Sequence, residues 1–265
     1  MPTEKQRKDR RVAVIALTSV LLIVIVIIVK IVAGGKNYDP LTLCPEDGNY
    51  PRTAVLLDAT DRLCESQAKK VEEEIINNLL KQPDHDEWVG IFILHENNLT
   101  LPAPEIALCS PGKANPLIQN PEWVQRRFEE KFQKPMAAAI KRLIQTSPHT
   151  TSPIHEMIKA VALDRNFDDP TKKRRLIVIS DMLQHTPPEY SHYRDGADFQ
   201  VWRNSIHGRD FPQFSLSDVE VEVLYLKRTG DLARSVQNNE DHILFWKNYF
   251  SELGASIEWS PAVCK

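Results

Sequence analysis

The chain has 265 residues, of which 42% are hydrophobic and 26% charged, and its formal net charge is −3. The +3 of the first eleven residues and the +1 of Lys30 leave −7 on the remainder, which argues against nucleic-acid binding, since phosphate contacts need a basic surface. Residues 12–29 are eighteen uncharged, almost wholly aliphatic positions, extended by Lys30-Ile31-Val32-Ala33. At 1.5 Å per helical residue about 20 residues cross a hydrocarbon layer of ~30 Å, so residues 12–33 are expected to be a transmembrane helix. Lys30 can stay wet at the interface while its stem lies along apolar surface. The preceding tail, residues 1–11, carries Lys5, Arg7, Lys8, Arg10 and Arg11 against Glu4 and Asp9. Positive flanks stay inside, which puts the N-terminus in the cytoplasm and the rest outside, in the periplasm if the cell is Gram-negative. A cleaved signal would have a shorter apolar core and a small-x-small site, where this chain has Ile31-Val32-Ala33, so the segment reads as a retained signal-anchor.

Residues 34–52 read as a tether, with Gly34-Gly35, Pro40, Pro45, Asp47-Gly48 and Pro51. Residues 53–265 are expected to form one extracytoplasmic domain. Thr53-Ala-Val-Leu-Leu57 is a short apolar run ending in Asp58, the pattern of a buried strand. A helix over 66–82 follows, with Ala68, Val71, Ile75, Ile76, Leu79 and Leu80 on one face. Residues 88–94 form a second strand, and 102–108, with two prolines, suit only an edge. Asn120-Pro121-Glu122 starts a helix that runs through Val124, Phe128 and Phe132, meets Pro135 and resumes at Met136. Ser152-Pro153 opens another helix, RLIVIS (175–180) is strand-like and ends at Asp181, and 219–226 is a further strand. Residues 241–253 form an aromatic-rich helix stopped by Gly254, and 255–259 a last strand. Phe245, Trp246, Tyr249 and Phe250 are at helical spacing and read as core. Strands alternating with helices predict an α/β fold, a Rossmann-like, mostly parallel sheet with helices on both faces. All four cysteines, Cys44, Cys64, Cys109 and Cys264, lie beyond the apolar run, and an even count in an oxidising compartment implies two disulfides. Of the three pairings, Cys64–Cys109 with Cys44–Cys264 is preferred here.

In such sheets ligands bind outside the carboxyl ends of the strands. Three loops converge there: Asp58-Ala59-Thr60-Asp61, Thr150-Thr151-Ser152 and Ser180-Asp181. Their short oxygen-bearing side chains suit a hard cation, with Asp58, Thr60, Thr151 or Ser152, and Asp181 as ligands of Mg²⁺ (or Mn²⁺/Ca²⁺). At these residues the chain resembles the von Willebrand factor A (VWA) family over roughly residues 50–262. The family's Asp-x-Ser-x-Ser motif lines up with Asp58-Ala59-Thr60-Asp61-Arg62, its later threonine with Thr151 or Ser152, and its Thr-Asp-Gly with Ser180-Asp181-Met182. The resemblance implies a metal-ion-dependent adhesion site at the top of the sheet. Arg62 departs from the pattern, because a guanidinium cannot coordinate a cation. Either Asp61 substitutes for the missing hydroxyl, or Arg62 neutralises the carboxylates and replaces the metal; otherwise Ser152 is merely a helix cap.

Residues 184–217, an insertion directly after Asp181, hold His185, Tyr190, His192, Tyr193, Trp202, His207, Phe211 and Phe214. Such a loop is expected to overhang the ion site and, with Asp61 and Arg62, to contact a partner, unless Val201, Trp202 and Ile206 form a small helix packed on the core. Loop histidines at this irregular spacing are mostly not zinc ligands. Asn98-Leu99-Thr100 fits a glycosylation sequon. No phosphate loop, nucleophile elbow or His-Glu-x-x-His is present. The expectation is a non-enzymatic, membrane-anchored module that binds another protein as part of a membrane or envelope complex. The alternatives are a metal-dependent hydrolase of the envelope, with His185 or His192 as general base, and a degenerate VWA domain with a structural role.

Overall fold

A computed structural model describes residues 4–33, 37–80, 83–94, 103–112, 120–144 and 150–264. The sequon at 98–100 and Gly34-Gly35 lie outside these residues. The chain divides into two compact units, Met1–Tyr38 and Asp39–Lys265. The first is one helix, α1 (Glu4–Ala33). Among the described residues no helix is long and apolar enough to cross a membrane. From Val20 to Ile27 every side chain of α1 is an exposed aliphatic one.

The second unit is built on a six-stranded sheet in the order β3-β2-β1-β4-β7-β8. The strands are β1 (Arg52–Asp58), β2 (Trp88–Leu94), β3 (Ile106–Cys109), β4 (Arg174–Ser180), β7 (Val219–Leu226) and β8 (Ser256–Ala262). All neighbours are parallel except β2 and β3, so the fold is the expected α/β arrangement with one antiparallel edge. Successive side chains of a strand point to opposite faces, and β1 shows the consequence. Ala54 and Leu56 pack on one side with α5 (Ile154–Ala162) and α9 (Glu240–Glu252), through Met157, Ile158, Phe245, Trp246 and Tyr249. Val55 and Leu57 pack on the other with α2 (Glu65–Glu72), α3 (Pro121–Phe128) and α4 (Lys134–Ile144), through Val71, Phe128, Met136 and Ile140. Burial on both faces explains why the central strands read as continuous apolar runs.

The helix expected to falter at Pro135 is continuous. A π-helical stretch, Glu129–Gln133, joins α3 to α4 immediately before the proline, and the wider turn accommodates a residue with no N–H and a bulky ring. Asn120 caps α3 as expected, its side chain accepting from the amides of Glu122 and Trp123. Gly254 ends α9 with φ +80°, where a Cβ would lie 2.7 Å from the Ser217 hydroxyl oxygen, so glycine is required there.

Two sequence expectations are corrected. Part of the tether belongs to the domain: Cys109 N–H donates to Thr42 O, Trp88 N–H donates to Pro51 O, and the compact unit starts at Asp39. The disulfides are Cys44–Cys109 and Cys64–Cys264, not the preferred pairing. The reason is the antiparallel edge. Cys109 pairs with Trp88, the first residue of β2, and so lies at the amino edge of the sheet, whereas Cys64 follows the carboxyl end of β1. A seven-residue strand separates those edges by about 20 Å, and a disulfide spans only about 4.4–6.8 Å between Cα atoms.

Cys44–Cys109 closes a sequence separation of 65 residues. Loop-closure entropy for that length gives about 4 kcal/mol, and for a domain of this size a melting temperature lowered by about 10 °C. Calorimetry of the Cys44→Ala/Cys109→Ala variant checks this; an unchanged melting temperature would refute the assignment of stability to this bridge.

Candidate functional site

The parallel strands β1, β4 and β7 are adjacent, so their carboxyl ends deliver Asp58, Ser180-Asp181 and Lys227-Arg228 to one place. Asp58 is 1% exposed and both of its oxygens are engaged. Oδ1 accepts from the Thr60 amide at 3.0 Å and the Thr60 hydroxyl at 2.6 Å, and Oδ2 accepts from the Ser180 hydroxyl at 2.6 Å. Burial, with the nearby Asp181 charge, raises the Asp58 pKa, while Arg228 and the two hydroxyls oppose the rise. Asp181 Oδ1 accepts from the Leu183 amide at 2.9 Å, and Oδ2 accepts from Arg228 Nε at 2.6 Å.

Arg228 is the centre of the cluster. Its side chain is 8% exposed, its Nε is also 3.8 Å from Asp61, and Nη1 donates to the Arg62 carbonyl at 3.2 Å. Burial works against its charge, but Asp181 and Asp58 more than offset this and its pKa is raised. Gln237, 2% exposed, fixes the approach: it donates to Asp181 O and Leu226 O and accepts from the Arg228 amide at 2.7 Å. A guanidinium therefore pairs directly with Asp181, lies near Asp61 and acts through its charge on Asp58, supplying the positive charge that a cation would bring. It comes from the end of β7, not from Arg62, whose backbone carbonyl alone contacts the cluster in the described hydrogen bonds.

The oxygen donors do not fit a divalent ion in this arrangement. All four oxygens of Asp58 and Asp181 already accept hydrogen bonds, and a second cation would meet the charge of Arg228. Among the described residues no group of three or more His, Cys, Asp or Glu side chains is placed to hold a metal. Thr60 belongs to the cluster. Ser152 is buried and pairs through its backbone with His185, Ser152 N–H donating at 2.8 Å and His185 N–H at 3.0 Å. Its hydroxyl does not cap α5, and neither it nor the Thr151 hydroxyl finds a partner among the described residues.

The insertion folds against the sheet's flank. It forms a hairpin of β5 (His185–Thr186) and β6 (Tyr190–Ser191), then α6 (His192–Asp195) and α7 (Phe199–Asn204). Tyr190, His192 and Trp202 are buried, while Val201 and Ile206 are exposed, so the small helix packs through Trp202 alone of that trio. Tyr190 donates to Gly196 O, and His192 sits edge-on to Phe245 at 4.8 Å. His185 Nδ1 is 2.8 Å from the Ser191 hydroxyl. Of the expected binding residues, Asp61, Arg62 and Tyr193 line an open groove of about 560 Å³ with Arg228, Thr229 and Leu232. Burial and the neighbouring Asp181 and Asp61 charges raise the Tyr193 pKa, and Arg228 opposes them.

Sequence reasoning missed His155 and His242 as well as Arg228 and Gln237. His155 stacks on Trp202 at 4.9 Å, and burial lowers its pKa to about 3. His242 bridges Tyr225 Oη (2.8 Å) and Met182 O (2.9 Å), the latter also accepting from Trp246 Nε1. Burial lowers its pKa to about 4. These contacts hold Met182 at φ 59°, a conformation uncommon for a residue with a side chain, where the VWA motif has glycine. The usable signal for Arg228 was its position just beyond an apolar strand.

No family model matches the chain. No curated protein matches it. Among solved structures it is similar to the conserved hypothetical protein BatB from Bacteroides thetaiotaomicron, at 13% identity and TM-score 0.35, over 81% of this chain and 91% of that one. It is also similar to an aerotolerance-related membrane protein from Bacteroides fragilis NCTC 9343 carrying multiple mutations to serines. That match has 13% identity and TM-score 0.36, over 80% of this chain and 91% of the other. Neither likeness bears on the chemistry of the site.

Arg228→Met removes the counter-charge of two buried carboxylates, and breaking such a pair costs about 3–5 kcal/mol. Denaturant unfolding at pH 7 should show that loss, a smaller one as pH falls and Asp58, whose pKa burial raises, takes up a proton, and partial recovery in Arg228→Met/Asp181→Leu. A loss independent of pH would count against the pairing. The histidines give a second expectation. A folded pKa below the ordinary 6.5 means that the unfolded chain binds more protons, so their stabilisation is full above pH 6.5 and is lost as pH falls toward 4 and 3. The melting temperature of His155→Phe should therefore fall less between pH 7 and 5 than that of the parent; equal slopes would refute this.

Proposed function

We propose that this protein is a membrane-anchored, extracytoplasmic docking module of VWA type, binding another protein of a membrane or envelope complex at the carboxyl edge of its sheet. The observation that carries the reading is an open groove lying directly on a closed, buried ion-pair cluster. The floor is rigid and its charges are mutually satisfied, while Arg62, Tyr193 and Leu232 offer the aromatic, basic and apolar contacts typical of interface anchors. In this reading Arg228 replaces the divalent ion of the VWA adhesion site, and docking needs no Mg²⁺, Mn²⁺ or Ca²⁺.

The apolar run at 12–33 and the basic tail support the anchor and its orientation. Two disulfides support an oxidising compartment outside the cytoplasm. The hydrolase alternative has less support: His192 is buried with its pKa held well below 6.5 by burial and by His242 and His155, and His185 is engaged with Ser191.

Calorimetric titration with Mg²⁺ or Mn²⁺ should show no binding heat, and Arg62→Glu/Tyr193→Ala/Leu232→Ala should keep the parent's melting temperature while losing a co-purifying partner. Micromolar cation binding would overturn the ion-free reading. Undiminished partner capture by the folded triple variant would remove the groove from the mechanism and favour a structural role.

A further inference from the structure

The domain has a second groove, of about 470 Å³, at the opposite end of the sheet. It is lined by Pro40, Leu43, Trp123, Arg126, Arg127 and Lys131, with Glu130 beside them. Its position follows from two contacts: Cys109 at the amino edge accepts the chain through the Cys44 disulfide and donates its amide to Thr42 O. Trp123 is 59% exposed, unusual for so large an apolar side chain. The Arg127 guanidinium lies 5.7 Å from the Trp123 ring centroid, so an aromatic face and a basic head are presented together.

We infer that this amino-edge groove is a membrane-contact surface, seating the domain on an anionic phospholipid headgroup layer. The inference rests on the reading that residues 12–33 span the membrane. Only six residues lie between Ala33 and Pro40, and an extended chain covers at most about 3.4 Å per residue, so seven steps limit their separation to about 24 Å. Pro40, a lining residue, thus ties the groove to the anchor by a short stretch of chain. The groove's chemistry matches that place. Tryptophan concentrates at the membrane–water interface, where its ring is half apolar and half polar. Arg126, Arg127 and Lys131 can rest their stems on the apolar layer and direct their charges to phosphates. The remainder of the domain is acidic, so a basic patch at this one edge gives an anionic surface a preferred face to attract. Seated this way, the domain presents its carboxyl edge, with the Asp61–Tyr193 groove, away from the lipid.

The test uses the full chain reconstituted in vesicles whose lipids are brominated in the acyl chains, which quench tryptophan at short range. Trp88, Trp202 and Trp246 are buried and Trp259 is half-buried, so Trp123 is the most exposed tryptophan, and its signal is isolated by the difference from Trp123→Phe. Expected are quenching in vesicles containing phosphatidylglycerol, its reduction in phosphatidylcholine alone or at high salt, and its loss in Trp123→Phe. Arg126→Glu/Arg127→Glu/Lys131→Glu, all on a solvent-facing surface, should lose it too with unchanged circular dichroism. Quenching that persists in Trp123→Phe overturns the inference, as does cross-linking between copies at Trp123 without quenching. Release of the chain by alkaline carbonate overturns the spanning reading beneath it. Retention without quenching overturns the surface alone and leaves the span standing.

Discussion

Arg228 and Asp181 form the contact on which the carboxyl edge depends. Two carboxylates brought together by adjacent parallel strands repel each other, and burial raises the cost of their charge. A VWA-type site solves this with a metal ion; here a guanidinium reaches in from the neighbouring strand, and Gln237 fixes its backbone. The solution is permanent, since arginine does not give up its proton. In the docking role proposed above, this would make the edge independent of ion supply and shift recognition to side chains above the cluster.

The same constraint explains where the insertion goes. Met182, just after Asp181, must be held in a left-handed conformation, and His242 and Trp246 of α9 do this by hydrogen bonding to the Met182 carbonyl. The chain that leaves that turn runs over α9, and its aromatic residues, Tyr190, Phe199 and Trp202, join the core that Phe245 and Tyr249 begin. What composition suggested was an overhanging recognition loop is mostly a second layer of core, with Tyr193 left at the groove.

The strand runs and their terminal aspartates were legible because local pattern decides them: Thr53 to Leu57 and RLIVIS each hold four consecutive apolar residues, and each run ends at an aspartate, Asp58 or Asp181. Helix starts such as Asn120-Pro121 are equally local. Arg228 was not legible, because its meaning depends on β7 lying beside β4, a neighbour relation set by crossover connections far apart in sequence. The disulfide pairing failed for a related reason. It turns on β3 running antiparallel, which sends Cys109 back to the amino edge and away from Cys64.

The Cys44–Cys109 bridge also determines the mechanical behaviour of the domain. β1 is a central strand and the first to follow the N-terminal segment, so tension arriving along the chain would otherwise act on Arg52 and draw β1 out of the middle of the sheet. The bridge intercepts that tension eight residues earlier, at Cys44, and diverts it to the edge strand β3. Such a pull is then borne by the covalent bridge and the edge strand β3, sparing the strand that carries Asp58.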